Sequence, residues 1–213
     1  MEIKKLDISD FENVLSFYKE QIEYLERKEF FYPYQNDDIK SILSGGGIMA
    51  AVLDSSKIIG LSAIDFDDHY SQILKEIANN YYPHVSNLQV CEYSGVMTHK
   101  DYRGQGVAGK LYDYLINIVK DRKDICLCSV VQLENQASLN FFFKRNFRLV
   151  SVKRAFDIDF GYLLKFLDKD INIDISDQKI INCLDYGAFD KYLRQGYVGV
   201  NFADNKIKLC RII

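Results

Sequence analysis

The stretch Val90–Thr98 (VCEYSGVMT), His99–Tyr102 (HKDY), Arg103–Gly109 (RGQGVAG) and Lys110–Lys120 (KLYDYLINIVK) decides how the remainder of the 213 residues is read. It reads as a strand, a short polar turn, a glycine-rich corner and a helix. Tight glycine turns let successive main-chain N–H groups converge on one point, and the positive end of the helix dipole faces that same point. Arg103 adds a full positive charge just before the first glycine. These residue types suit a backbone cradle for phosphate.

As bare patterns the corner is ambiguous. Gly104, Gly106 and Gly109 spell G-x-G-x-x-G, a dinucleotide fingerprint, while Gly104 to Lys110 spell G-x-x-x-x-G-K, most of a P-loop. Context argues against both. A dinucleotide fingerprint follows its strand almost directly and opens a βαβ unit, with an acidic residue about 20 positions on. Here five residues, His99 to Arg103, intervene before the first glycine, and no clear acidic residue ends a second strand at that offset. A P-loop needs Ser or Thr after its lysine to hold magnesium, and position 111 is leucine.

A third reading fits both this stretch and a second one. Arg103, Gly106 and Ala108 form R-x-x-G-x-A after V-M-T-H-K-D-Y-R-G, and Asn135 to Phe147 read NQASLNFFFKRNF. The first resembles the acyl-CoA-binding segment of the GNAT family of N-acetyltransferases, and the second is similar to that family's N-x-x-(S/A)-x-x-F-Y-x-K-x-G-F helix. Two motifs in the right order are far more specific than one. The resemblance spans roughly residues 1–165. It implies an α/β chain with a mixed α+β sheet in the GNAT acyl-CoA N-acyltransferase fold, acetyl-CoA as co-substrate, no metal, and transfer of an acetyl group to a primary amine by direct attack on the thioester.

The same resemblance assigns residues. The amides of Gly104, Gln105, Gly106, Val107 and Ala108, with Gly109 and Arg103, would hold the pyrophosphate. Val96, Met97 and Thr98 would pair with the pantetheine arm, and Gly95 just before them suits a bulge. Asn135, with Ser138 and Phe142 on the same helix, would lie toward the thioester end, and Asn135 also reads as a plain N-cap. A main-chain N–H near Val96 or Met97 would meet the oxyanion, a donor typically worth about 2.7–4 kcal/mol of barrier. An amine of pKa near 10.4 arrives charged, so a base is needed. Glu92 is the candidate general base, because alternation along the strand puts it on one face with Ser94 and Val96. Position 142, where the family has a proton-donating tyrosine, is phenylalanine. That departure leaves the general acid unassigned and favours a second reading, a non-catalytic acyl-CoA-binding or sensor module.

The totals exclude little. Apolar content of 48% and charged content of 27% are those of a soluble globular protein, and a net charge of −3 argues against nucleic acid as a partner. The cluster Lys144, Arg145, Arg148, Lys153 and Arg154 reads as a solvated helix end and strand edge. Five cysteines without zinc spacing read as buried reduced thiols in a cytoplasmic protein. No apolar run approaches membrane length. The expected partners are a small-molecule or peptide amine, no nucleic acid, no membrane, and a homodimer as an open assembly. His99 reads as structural, and Asp65, Asp67 and Asp68 read first as a solvated acidic loop and second as one that would attract a cationic acceptor.

The remaining periodicities set the element order. Expected are a strand over 3–6, an amphipathic helix over 10–28, a brief helix opening at Asn36 or Asp37, and strands 48–53 and 57–66 about a turn at Asp54-Ser55-Ser56. A helical insertion over Ser71–Asn79 follows. Beyond the central stretch come a buried strand over 125–131, a helix over 135–145 capped by Asn146, and strands 147–152 and 155–164. Two domains result: 1–167, and a small C-terminal α+β extension, 168–213. The extension comprises a polar bridge, a helix over 186–195 and a hairpin about Asp204-Asn205, and would cover the main sheet or meet a second copy.

Overall fold

The computed structural model describes residues 1–66, 88–122, 125–168 and 170–213. The helix expected over 71–79, together with His69, His84, Asp67 and Asp68, lies outside the described residues. The chain divides into two compact units, residues 1–68 with 91–122, and residues 69–90 with 123–213.

In the first unit, β1 (Glu2–Lys5), β2 (Gly47–Asp54), β3 (Lys57–Asp65) and β4 (Gln89–Thr98) follow one another in an antiparallel meander. Ser55 and Ser56 both take positive φ, 48° and 70°, as the two-residue turn between β2 and β3 requires. Helix α1 (Phe11–Glu23) is entered through a capping box: Asp7 accepts from the Ser9 amide at 2.8 Å, and Asp10 accepts from the Asp7 amide at 3.1 Å. It ends five residues before the expected 28, since Glu26 to Glu29 offer no apolar residue to continue the stripe. Helix α2 (Asn36–Ser41) opens at Asn36, as expected, and is capped by Gln35, whose backbone amide donates to Asp38.

Val14, Phe17 and Tyr18 of α1 and Ile39 of α2 bury one face of this sheet against Met49, Ala51, Leu61, Ala63 and Met97. Helix α3 (Val107–Val119) buries Val107, Leu111, Leu115 and Val119. Its contact with β3 depends on Gly60, where an added Cβ would lie 2.4 Å from Val107 Cγ1 and 3.2 Å from Leu111 Cδ1. Gly60→Ala is therefore expected to destabilise the protein by about 1–3 kcal/mol through overpacking. The cost should shrink in a Val107→Ala background, because the two sites touch. Urea unfolding of the four combinations measures this.

In the second unit, β5 (Ile125–Gln132), β6 (Arg148–Ala155), β7 (Ile158–Phe166), β8 (Ile173–Asn182), β9 (Tyr197–Ala203) and β10 (Lys206–Ile212) are ordered β5-β7-β6-β9-β10-β8, and the pairings are antiparallel. The unit also holds α4 (Gln136–Phe143) and α5 (Tyr186–Arg194). Asn146 takes the left-handed conformation, φ 61°, beyond α4, as its residue type leads one to expect. The β9–β10 hairpin turns on Asp204 and Asn205, φ 50° and 58°.

Two expectations for this region are corrected. The polar bridge over 168–179 is largely strand: β8 pairs with β10 along its length, interrupted where Asp174 folds back to accept from the Ser176 amide at 2.8 Å. A charged, bulged strand at a sheet edge has the composition of a linker, because edges are protected from further pairing by charge and bulging. Strands β9 and β10 lengthen the sheet at its edge, with Gly199 of β9 opposite Leu149 of β6, while α5 packs against β6 and β9. The β6–β7 turn sits at Phe156-Asp157, φ 50° and 60°, later than expected, since Phe156 is not a usual hairpin-turn former.

All five cysteines are free and buried. Among the described residues no helix is long and apolar enough to cross a membrane.

Candidate active site

The site in the first unit is built on a break in β4. Leu61 stands opposite Met97 and Ala63 opposite Ser94, so Ser62 alone faces both Gly95 and Val96. This is the bulge that Gly95 suggested, and Gly95 takes φ +64°, a value that favours glycine. A Cβ there would lie 2.8 Å from the Tyr18 hydroxyl and 2.9 Å from the Tyr34 ring. The missing side chain is thus what lets two tyrosines close on the bulge.

The bulge also corrects the expected facing of the strand. Simple alternation groups Glu92 with Ser94 and Val96. The extra residue shifts the phase, so Glu92, Ser94 and Met97 share the face of their partners Asp65, Ala63 and Leu61. Val96 is displaced from that face by the additional residue.

The glycine corner is anchored from behind. The His99 ring accepts from the Asp101 amide at 3.3 Å, which is the structural role expected of it. The Tyr102 hydroxyl donates to Asp54 at 2.7 Å, and the Lys100 amide donates to Gln21 Oε1 at 3.1 Å. Gly104 and Gly106 then take φ of 76° and 78°, with open space where a Cβ would stand. Gly106 is the N-cap of α3, and its carbonyl accepts from the Lys110 amide at 3.0 Å. The preceding amides of the first turn have no helical partner by construction. Among the described residues, the amides of Gly104, Gly106, Val107, Ala108 and Gly109 donate to no protein acceptor. The Gln105 amide instead turns back to Tyr102 O at 3.3 Å. Arg103 is exposed and, among the described residues, makes no ion pair. The result is a cluster of unbonded donors at a positive helix end, with an unneutralised guanidinium beside it.

Asp65 and Tyr34 lie close to Glu92 in a way that sequence reading did not anticipate. Asp65 is not part of a solvated loop; it ends β3, is buried, and stands directly opposite Glu92. Like charges opposite one another repel, and a proton taken up by either relieves that repulsion. Tyr34 forms a hydrogen bond with Ser94 through their two hydroxyls. Burial, and then the charge of Glu92, hold the Tyr34 phenol far above its ordinary range. Burial alone does the same for Tyr18, whose hydroxyl lies 3.5 Å from Gly95 O. The signal available in sequence was slight: Tyr34 is one of fifteen tyrosines and falls in a short connection.

The other predicted residues lie in the second unit. Asn135 caps α4, its side chain accepting from the Ser138 amide at 3.1 Å. Phe142 is core, with its ring centroid 5.2 Å from that of Phe141 and 4.9 Å from that of Phe147. The basic cluster is dispersed: Arg154 grips Asp159 at 2.7 and 2.9 Å, Arg145 lies over the Phe141 ring, and Lys153 over Tyr162. Among the described residues no group of three or more His, Cys, Asp or Glu is placed to hold a metal.

Comparison with solved structures shows what this arrangement is similar to. An N-acetyltransferase from Staphylococcus aureus Mu50 superposes with a TM-score of 0.56 at 18% identity, covering 78% of this chain and 98% of that one. Arabidopsis thaliana NAA60 in complex with acetyl-CoA gives 0.60 at 13%, covering 79% and 99%. A putative acetyltransferase, yncA, from Salmonella typhimurium with its cofactor acetyl-CoA gives 0.58 at 14%, covering 82% and 98%. No curated protein matches significantly. The family model for the GNAT acetyltransferases matches residues 11–147, which hold both the bulged strand and the glycine corner. This chain therefore belongs to the GNAT acetyltransferase family and has that family's mixed α/β fold.

Proposed function

We propose that this protein is an acetyl-CoA-dependent N-acetyltransferase acting on a primary amine of a small molecule or peptide. The observation that carries the proposal is the group of amides of Gly104, Gly106, Val107, Ala108 and Gly109 left without protein acceptors among the described residues at the positive end of α3, shortly after a bulged strand. Such a group of donors favours a doubly charged pyrophosphate. Arg103 adds its charge there, while Val96, Met97 and Thr98 offer the strand backbone beyond the bulge to an extended arm. Asn135 and Ser138 are assigned to the thioester side on family resemblance, as is Phe142. When bound, acetyl-CoA supplies the activated acetyl group. Glu92 takes the proton from the amine, and an amide near Val96 or Met97 donates to the oxygen that becomes negative as the amine attacks.

The GNAT membership and the acetyl-CoA complexes among its structural neighbours support this reading. We place the protein in the cytoplasm, consistent with five unbridged cysteines. The competing reading, a non-catalytic acyl-CoA-binding module, draws on Phe142, which has no hydroxyl to protonate a departing thiolate. Release of free thiol from acetyl-CoA separates the two. The expected result is release that depends on added primary amine, for instance n-butylamine or a short peptide with a free N-terminus. Binding of acetyl-CoA without release for any amine would favour the sensor.

A further inference from the structure

The hydroxyl that Phe142 lacks has a counterpart on the bulged strand. We propose that the hydrogen-bonded pair Tyr34–Ser94 holds and protonates the thiolate that leaves when the acetyl group is transferred, with Ser94 as the donor and Tyr34 as the residue that positions it. This inference rests on the acetyltransferase reading above.

Ser94 is the last residue before the bulge, and Tyr34 reaches it because Gly95 has no side chain to hold the ring away. Two hydroxyls that share one hydrogen bond have two hydrogens and use one of them between themselves. One hydrogen is left to offer to a third atom. Among the described residues neither side chain has a further protein acceptor. Burial and the neighbouring charge favour the protonated phenol. Tyr34 is thereby kept from competing as an anion for the position that the thiolate must occupy. The groups facing Tyr34 are Glu92, Asp65 and Tyr18, which add negative or neutral character and no rival donor cation.

The protons balance through Glu92. Attack forms the carbon–nitrogen bond and leaves a surplus proton on nitrogen, which Glu92 takes. The carbon–sulfur bond then breaks, and sulfur leaves with its electron pair. Ser94 gives its proton to sulfur and receives one from Tyr34, and Tyr34 receives one from Glu92. Each hydroxyl gains a proton as it loses one, so no phenolate accumulates and Glu92 is returned as the carboxylate.

The test needs no acceptor amine, because coenzyme A itself carries the leaving thiol. Free coenzyme A is bound to wild type, Ser94→Ala, Tyr34→Phe and Ser94→Thr, and its thiol is titrated by ultraviolet difference against the unloaded protein. The expected result is a bound thiol pKa about one unit higher in Ser94→Ala and Tyr34→Phe than in wild type, the effect of losing a hydrogen bond to an anion. Ser94→Thr keeps the hydroxyl and should titrate like wild type, which a merely structural role for Ser94 would not require. Thermal unfolding shows that each variant is folded. If all four bind coenzyme A and titrate alike, this inference is overturned and the cofactor reading stands. If wild type does not bind coenzyme A, the acetyltransferase reading fails and takes this one with it.

Discussion

Gly106→Glu should abolish acetyl-CoA binding while leaving the chain folded. Gly106 is exposed, takes φ +78°, and has no heavy atom within 4 Å of where its Cβ would be, so a larger residue meets strain but no clash. The left-handed conformation costs an ordinary residue about 1–2 kcal/mol, which the fold can absorb. The charge is another matter. A carboxylate at the N-cap of α3 would accept from the amides that the pyrophosphate needs and repel the pyrophosphate as well. Juxtaposing like charges at a binding surface costs several kcal/mol, an affinity loss on the order of 10²–10³-fold. Gly106→Asn is the control. Asparagine tolerates the left-handed conformation and carries no charge, so it should bind much closer to wild type. Comparable losses in both variants would assign the effect to backbone strain and remove the electrostatic argument.

Glu92→Gln is expected to lower kcat by about 100-fold or more, the usual size of a general-base contribution, with little change in KM for acetyl-CoA. The wild-type rate should climb with pH as the base loses its proton, and that limb should vanish in the variant. Stability should be unchanged or slightly increased, because Glu92 stands opposite Asp65 across the strand pair and neutralising it removes a repulsion. A structural Glu92 predicts something different. A variant with wild-type kcat and lowered stability would return Glu92 to a purely structural role.

How much of this was legible in the sequence follows from the range over which each feature is determined. The turn at Gly104 and Gly106, the Asn146 cap and the Asp204-Asn205 turn are local: each is set by a residue type that tolerates positive φ, and each takes positive φ in the structure. The bulge at Gly95 was anticipated for the same reason. Its consequence for Val96 and Met97 was not, because phase along a strand depends on the register with β3, which no single segment contains. Asp65 and Tyr34 were missed on the same ground. One looked like the start of an acidic loop and the other like a packing aromatic, and only pairing across the sheet brings them to Glu92 and Ser94. The edge strand β8 was hidden by its own charges, which protect an edge and imitate a linker.

The central claim is that the corner after β4 is a cradle for coenzyme A. Calorimetric titration of the wild-type protein with acetyl-CoA, with NAD and ATP as controls, tests it most directly. The account predicts saturable binding of acetyl-CoA and none of comparable strength for NAD or ATP. No heat with acetyl-CoA at millimolar concentration, or tight binding of NAD or ATP in its place, would contradict it.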